Sequence, residues 1–512
     1  MQLPRRRFVV VGALSGLAAC RPVPPTPIPP QSPTPSASPS ATAAAPSAVA
    51  SPTPTPTPSP QAAPGSTTAP SPTETVAPEP TPSPGVTATG NPFDAHYDRS
   101  FKLTSLSADP VQQTPTPRLA TSLEDARIDS AYGTRIYRAT VPDSSTGARL
   151  RHHYSRSQAF NADNSRFMAE AENGHWSLHD ANTFEKLEVL PRLAGNCEPL
   201  WDPKDPTRYI HTGRDGGMQW WDQDGKVVFD FTGRTPWPQA TSFWTGGEGT
   251  RSADGRILTL MANAYDETTK QKVCHGIVTV DLSTGTILGT LDASRFPFPG
   301  AVPDHVSTSP SGRFAVVSWV WMERIEDGGT FAYPVDFSSS RKLIGTSEHS
   351  DLAIGANGHD LYVAAAYRND DGAAIIAVDL ETGERSELHR LYLPDSESYA
   401  CHISAQCFDR PGWAVVSTYG EHRVENGTLV RATTVQPEYR KVWLLELKPG
   451  GRALNVAHIH STWPTTPGEN KHYFLEPQAT ASKDLSRIMV AANHDGGDAS
   501  SYMIGLPSWV LD

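Results

Sequence analysis

From residue 150 onward, short apolar runs alternate with polar turns, and one phrase recurs. A polar residue leads through a few alternating positions into a turn of Ser, Asn, Asp or Gly, and an apolar strand follows. The phrase reads Ser157-Gln158-Ala159-Phe160-Asn161-Ala162-Asp163-Asn164, then Glu198-Pro199-Leu200-Trp201-Asp202-Pro203, then Glu248-Gly249-Thr250-Arg251-Ser252-Ala253-Asp254-Gly255. His305-Val306-Ser307-Thr308-Ser309-Pro310-Ser311-Gly312 is the clearest copy, followed by Asp351 to Gly358, a looser copy from His402 to Gly412, and Gln478 to Asp484. With Asn161, Asp202, Ser252, Ser309, Gly355, Asp409 and Ser482 as anchors, the seven copies are spaced by 41, 50, 57, 46, 54 and 73 residues. Between them an apolar strand runs into an acidic turn, as in Val280-Asp281-Leu282-Ser283-Thr284-Gly285 and Val378-Asp379-Leu380-Glu381-Thr382-Gly383. Asp-x-x-Gly and Thr-Gly between β-rich runs are hairpin turns. Each unit therefore holds about four strands, and seven such units predict an all-β, seven-bladed β-propeller. Two stacked sandwiches are the alternative, but they do not repeat one phrase at this period.

The last copy leaves room for only three strands. Gly133 to Thr140 supplies the missing one, which predicts that an N-terminal strand closes the last blade and removes the sheet edge.

Composition changes the picture upstream. Of 47 prolines, 22 fall between Arg21 and Gly90, in a stretch of Pro, Ser, Thr and Ala with no aromatic residue. So little apolar bulk cannot offset the ordering entropy, which predicts a disordered stalk. Proline at every second or third position, as from Pro52 to Pro60, favours polyproline II and a reach of up to roughly 200 Å. Ahead of it, Arg5-Arg6-Arg7, the apolar run Phe8 to Ala19 and then Cys20 form a secretory signal too short to span a bilayer. Leu17-Ala18-Ala19-Cys20 resembles a bacterial lipobox, which implies lipidation of Cys20 and cleavage before it. The basic head also resembles a twin-arginine signal, with an ordinary secretory head as the alternative. The expected organisation is a signal peptide over 1–19, a lipidated Cys20 with a Pro-rich linker over 20–95, a connecting segment over 96–126 and the propeller over 127–512. The expected location is the extracytoplasmic face of a bacterial membrane, lipid-anchored and monomeric.

Charge narrows the partners. Without the first 90 residues the chain carries 39 basic against 53 acidic side chains, a net charge of −14. That argues against nucleic acid and is awkward for an enzyme of acidic polysaccharides. No Gly-x-Ser-x-Gly elbow, Walker loop or dinucleotide glycine fingerprint is present. Cys401 and Cys407 are close enough in sequence to pair in an oxidising compartment. Cys197 and Cys274 pair only if the blades bring them together, and free buried thiols are the alternative.

The phrase ending in Ser-Pro-Ser-Gly, with an apolar strand and Asp-Leu-x-Thr-Gly after it, resembles TolB-type propeller repeats. Within that group the His-bearing blades are similar to oligogalacturonate lyases. Innermost strands line a propeller's channel, so the positions four and six residues before each anchor point into it. These include Glu198, Glu248, His305, His349, Asp351, Glu476 and Gln478, with His402 from the looser sixth copy. His and carboxylate together suit a divalent metal such as Mn or Zn. The resemblance implies His305, His349, His402 and Gln478 as its ligands, although here they are dispersed in sequence. The alternative is a polar channel that holds water.

A uronate lyase needs a cation facing the carboxylate, a base for the adjacent C–H and an acid for the leaving oxygen. Arg151-His152-His153-Tyr154-Ser155-Arg156 is the richest cluster, with His153 or Tyr154 as base and Arg156, alternatively Arg251, facing the carboxylate. The competing reading is a non-catalytic propeller that binds glycan or protein through Trp220, Trp221, Trp244 and Trp413.

Overall fold

The computed structural model describes residues 90–512, apart from 113–114, 269, 320–327, 368–371, 392–396, 426–427, 433–434, 462–472 and 495–497. Its strands form six sheets among the described residues, and the nine-stranded one holds the first and last blades, joined where Leu150 pairs in parallel with Ser500, so that the blades number seven. The innermost strands of blades two to seven are Leu200–Trp201, Ser242–Trp244, Pro303–Thr308, Ser350–Ile354, Glu397–Ser404 and Thr480–Ala481. In the first blade this run is interrupted. Leu150–Arg151 pairs with Glu170 and Ala171, Phe160 bridges to Phe167, and between them the chain turns, with Ser157 N donating to the Tyr154 carbonyl at 2.9 Å.

The anchor residues recur for a reason that lies in their side chains. Ser252 Oγ accepts the N–H of Ile257 at 2.8 Å, Ser309 Oγ that of Phe314 at 3.1 Å, and Ser482 Oγ that of Arg487 at 3.0 Å. Asn161 Oδ1 does the same for Arg166 at 2.9 Å. A short polar side chain that bonds the backbone locally fixes the turn between the first and second strands. Asp409 does not behave this way: its N–H donates to the carbonyl of Lys483 in the next blade.

Closure follows the expected route. Arg135–Arg138 pairs with the last strand, Ser500–Gly505, with Ile136 opposite Ile504 and Tyr137 opposite Met503. Seven apolar clusters, formed by the facing surfaces of adjacent blades and by the closure, carry the core. Trp220 and Trp443 are sealed in it. Trp244 and Trp413 are buried as well, so of the four tryptophans expected at a rim only Trp221 keeps appreciable surface.

The packed body begins well before the expected boundary at 127. Asn91 Nδ2 donates to the Leu506 carbonyl at 2.8 Å, Tyr97 Oη to that of Gly505 at 2.6 Å, and the Ser508 hydroxyl to Asp94 at 2.8 Å. Phe93 is fully buried, and a Cβ on Gly505 would sit 2.2 Å from its ring. Farther on, Asn455 ties Thr104, Ser105 and Ser107 to the sixth blade. Residues 91–107 therefore form a strap over the seam where the two ends of the propeller meet.

Candidate functional site at the channel mouth

The turn inserted into the first blade's innermost run carries Tyr154 and Arg156 into the channel, at the end where the other innermost strands begin. Arg156 is buried and spans several blades. Its Nη1 donates to Glu248 Oε2 at 3.0 Å and to His305 Nε2 at 2.8 Å, and Nε donates to the Ser350 carbonyl. With Nη2 on Ser350 Oγ at 3.4 Å, the guanidinium is a strut across the channel. It has little left for a substrate carboxylate, which corrects the role expected for it. Arg251 is no substitute. Its donors go to the carbonyls of Leu200, Trp201 and Gly255, and burial lowers its pKa to about 10.

Because Arg156 donates to His305 Nε2, the neutral ring keeps its proton on Nδ1. That Nδ1 is buried, has no hydrogen-bond partner among the described residues, and lies 3.6 Å from Asp304 Oδ2 and 3.9 Å from Glu248 Oε2. Burial first and the Arg156 charge second lower the His305 pKa to about 4. Desolvation raises that of Glu248 to about 7 against the opposing pull of Arg156.

A second group faces the first. The His402 ring lies against His349 with centroids 4.4 Å apart, and stacks on Tyr419 at 4.8 Å and 9°. His402 Nε2 bonds Glu476 Oε2 at 2.9 Å, an oxygen that also accepts from Gln478 Nε2 at 3.2 Å. Gln478 Oε1 accepts from Arg151 Nη1 at 2.8 Å. His349 Nδ1 donates to the Cys401 carbonyl at 3.0 Å, which leaves the lone pair on Nε2, and that atom has no partner among the described residues. Burial, with His402 alongside, lowers the His349 pKa to about 3, so the half-buried ring is neutral at working pH.

Tyr154 sits between the two groups. Its ring presents an edge to His402 at 5.4 Å and 80°, and the Arg156 guanidinium lies 5.5 Å from its centroid. Desolvation, with Glu248 nearby, holds its pKa well above the usual phenol value, so the hydroxyl keeps its proton. A phenol that keeps its proton suits the role of donor and not the base role expected for Tyr154. His153 fails for a different reason: Nδ1 meets Glu170 at 2.9 Å and Nε2 meets the Gly247 carbonyl at 3.1 Å. Both ring nitrogens are engaged by acceptors of the fold.

The remaining channel-facing residues are joints between blades. Glu198 accepts from the N–H and hydroxyl of Thr245, each at 2.9 Å, and from the Gly247 N–H, joining blade two to blade three. Asp351 accepts from Ala405 N at 2.7 Å and Gln406 Nε2 at 3.0 Å, joining blades five and six. Cys197, Cys274, Cys401 and Cys407 are all free and buried, so the pairing considered for Cys401 and Cys407 does not form.

The four expected metal ligands do not act as one set. His305 belongs to one group and His349, His402 and Gln478 to the other, and Arg151 holds the Gln478 amide oxygen. The donor atoms that do converge are one each from Glu248, Asp304 and His305, all within 4.8 Å of one another. The two carboxylates suit a divalent ion such as Mn; the Nδ1 of His305, aimed between them, carries the ring proton while Arg156 holds Nε2, so the imidazole would ligate only if that bond to Arg156 were exchanged. Sequence reading put Glu248 on the channel wall but missed Asp304, because its position in the strand, beside His305, falls off the period-two face.

No protein-family model matches the sequence, and no curated protein matches it. Solved structures do. The oligogalacturonate lyase of Vibrio parahaemolyticus superposes with a TM-score of 0.51 at 14% identity, over 75% of this chain and 97% of that one. An oligogalacturonate lyase in complex with manganese gives a TM-score of 0.51 at 16% identity, over 76% and 97% of the two chains. At these identities the likeness is one of fold, and this chain has the propeller fold that those lyases have.

Proposed function

We propose that the channel mouth binds an acidic polysaccharide of uronate units and cleaves it by β-elimination. The observation that carries this reading is His349. Its Nδ1 is fixed on a backbone carbonyl, its Nε2 lone pair is unpartnered, and it stands beside a carboxylate–imidazole group on a fold shared with oligogalacturonate lyases. His349 is the base that removes the proton from the carbon bearing the uronate carboxylate, and burial keeps it uncharged for that task. Glu248 and Asp304 would hold a divalent cation, Mn or Zn. When bound, that ion supplies positive charge to the uronate carboxylate and makes the adjacent C–H more acidic. Arg156 fixes which nitrogen of His305 faces the two carboxylates, and Glu476 orients His402, which packs the His349 ring.

We place this body on a lipid anchor at Cys20, carried away from the membrane by the Pro-rich stalk and working as a monomer on surface glycan. The test is a variant. His349→Ala should lower turnover of polygalacturonate by about 10²–10⁴-fold, with the thermal midpoint little changed. A His349→Ala enzyme as active as the parent removes the base assignment. Glycan binding without any cleavage by the parent protein leaves a non-catalytic binding propeller as the function.

A further inference from the structure

Several tyrosines packed into this protein place their hydroxyls on partners. Tyr97 donates to the Gly505 carbonyl, Tyr137 to that of Leu123, Tyr362 to Thr330 Oγ1, Tyr132 to Asp109, and Tyr367 meets Cys401. This is the ordinary state of a buried phenol, which otherwise forfeits the hydrogen bonds it had in water. Tyr154 lacks such a partner at the channel mouth. It is only 3% exposed, its ring is clamped between Arg156 and His402, and its hydroxyl has no partner among the described residues. The rigid ring, set in the first blade's inserted turn between Arg156 and His402, thus brings an O–H donor to the channel mouth. Nothing in the packing of the fold uses that donor.

We propose that Tyr154 is the general acid that protonates the leaving glycosidic oxygen, an assignment that rests on the elimination reading above. The step balances within the site. His349 Nε2 takes the proton from the carbon bearing the carboxylate, and those electrons form the ring double bond. The bond from the next carbon to the glycosidic oxygen breaks, and that oxygen takes the Tyr154 proton to become a hydroxyl. The tyrosinate left behind has the Arg156 guanidinium as a neighbouring positive charge, 5.5 Å from its ring centroid. The proton on His349 then returns to the tyrosinate, and no further reactant is consumed.

A general acid matters only when the leaving group needs protonation, which separates it from a packing role. The test compares the full chain with Tyr154→Phe on two substrates, polygalacturonate and a uronide carrying a 4-O-nitrophenyl group, whose phenolate leaves unaided. The ultraviolet absorbance of the unsaturated product reports both reactions. Tyr154→Phe should lose about 10²–10⁴-fold in kcat on polygalacturonate and stay within a few-fold of the parent on the aryl substrate. Equal losses on both substrates, or none on either, overturn the assignment while leaving the lyase reading intact. A parent protein that gives no unsaturated product from either substrate overturns both. If Tyr154→Phe misfolds, fluorotyrosine at position 154 keeps the packing. Its more acidic hydroxyl should narrow the rate gap between the two substrates, and an unchanged gap counts against the assignment.

Discussion

At the scale of single residues, the channel is governed by the balance between desolvation and partners. His152 shows it most simply. It is fully buried, its Nε2 donates to the Gln478 carbonyl at 2.8 Å, and Nδ1 meets the Ser501 hydroxyl at 3.1 Å. Burial first, then the Arg151 charge, lowers its pKa from 6.5 to about 3. Above about 6.5 the ring is neutral in both folded and unfolded chains and costs nothing. As pH falls from there toward about 3, the unfolded chain takes a proton that the folded one refuses, so stability declines through that window. The slope of unfolding free energy against pH between about 4 and 6 should therefore become shallower by close to one proton in His152→Asn, measured by urea titration. An unchanged slope would mean that the ring is protonated in the fold. Glu248 works in the opposite sense. Its raised pKa of about 7 means that its contribution is present below about 4.5 and is lost as pH rises through 7.

At the scale of elements, the repeat was legible because each turn is locked by one residue's own side chain, and local chemistry leaves a local signature. Ser252, Ser309 and Ser482 are the same device at three places. What was not legible depends on distance. Arg156 reads as an arginine facing a substrate carboxylate until the folded channel brings Glu248, His305 and Ser350 to it from three other blades. His402 misses the spacing rule because its anchor, Asp409, bonds the next blade instead of fixing its own turn. The strap was missed for a compositional reason. Phe93 and Leu103 are isolated apolar residues among polar ones, with no period to betray them. Their burial makes a firm prediction: Phe93→Ala should cost about 3–5 kcal/mol, the usual range for emptying a sealed aromatic site. Chemical denaturation checks it, and a loss under ~1 kcal/mol would show that the strap does not hold the seam.

At the scale of the whole molecule, closure and chemistry share one geometry. The strand Arg135–Arg138 completes the ring, and the ring brings innermost strands of distant sequence to one mouth. That is why Glu248, Asp304, His305, His349 and Tyr154 can meet although they span some 200 residues of chain. The acidic body, at −14, repels a polyuronate at long range. Raising ionic strength should screen that repulsion more than it weakens buried contacts. The central claim is elimination at that mouth, and the mass of the products tests it most directly. Incubating the full chain with a defined oligogalacturonate in the presence of manganese should give two fragments whose masses sum to that of the substrate, one of them unsaturated. Fragments that sum to the substrate plus one water would mean hydrolysis, and an intact substrate would mean that the channel binds without cutting. Either result would contradict the account.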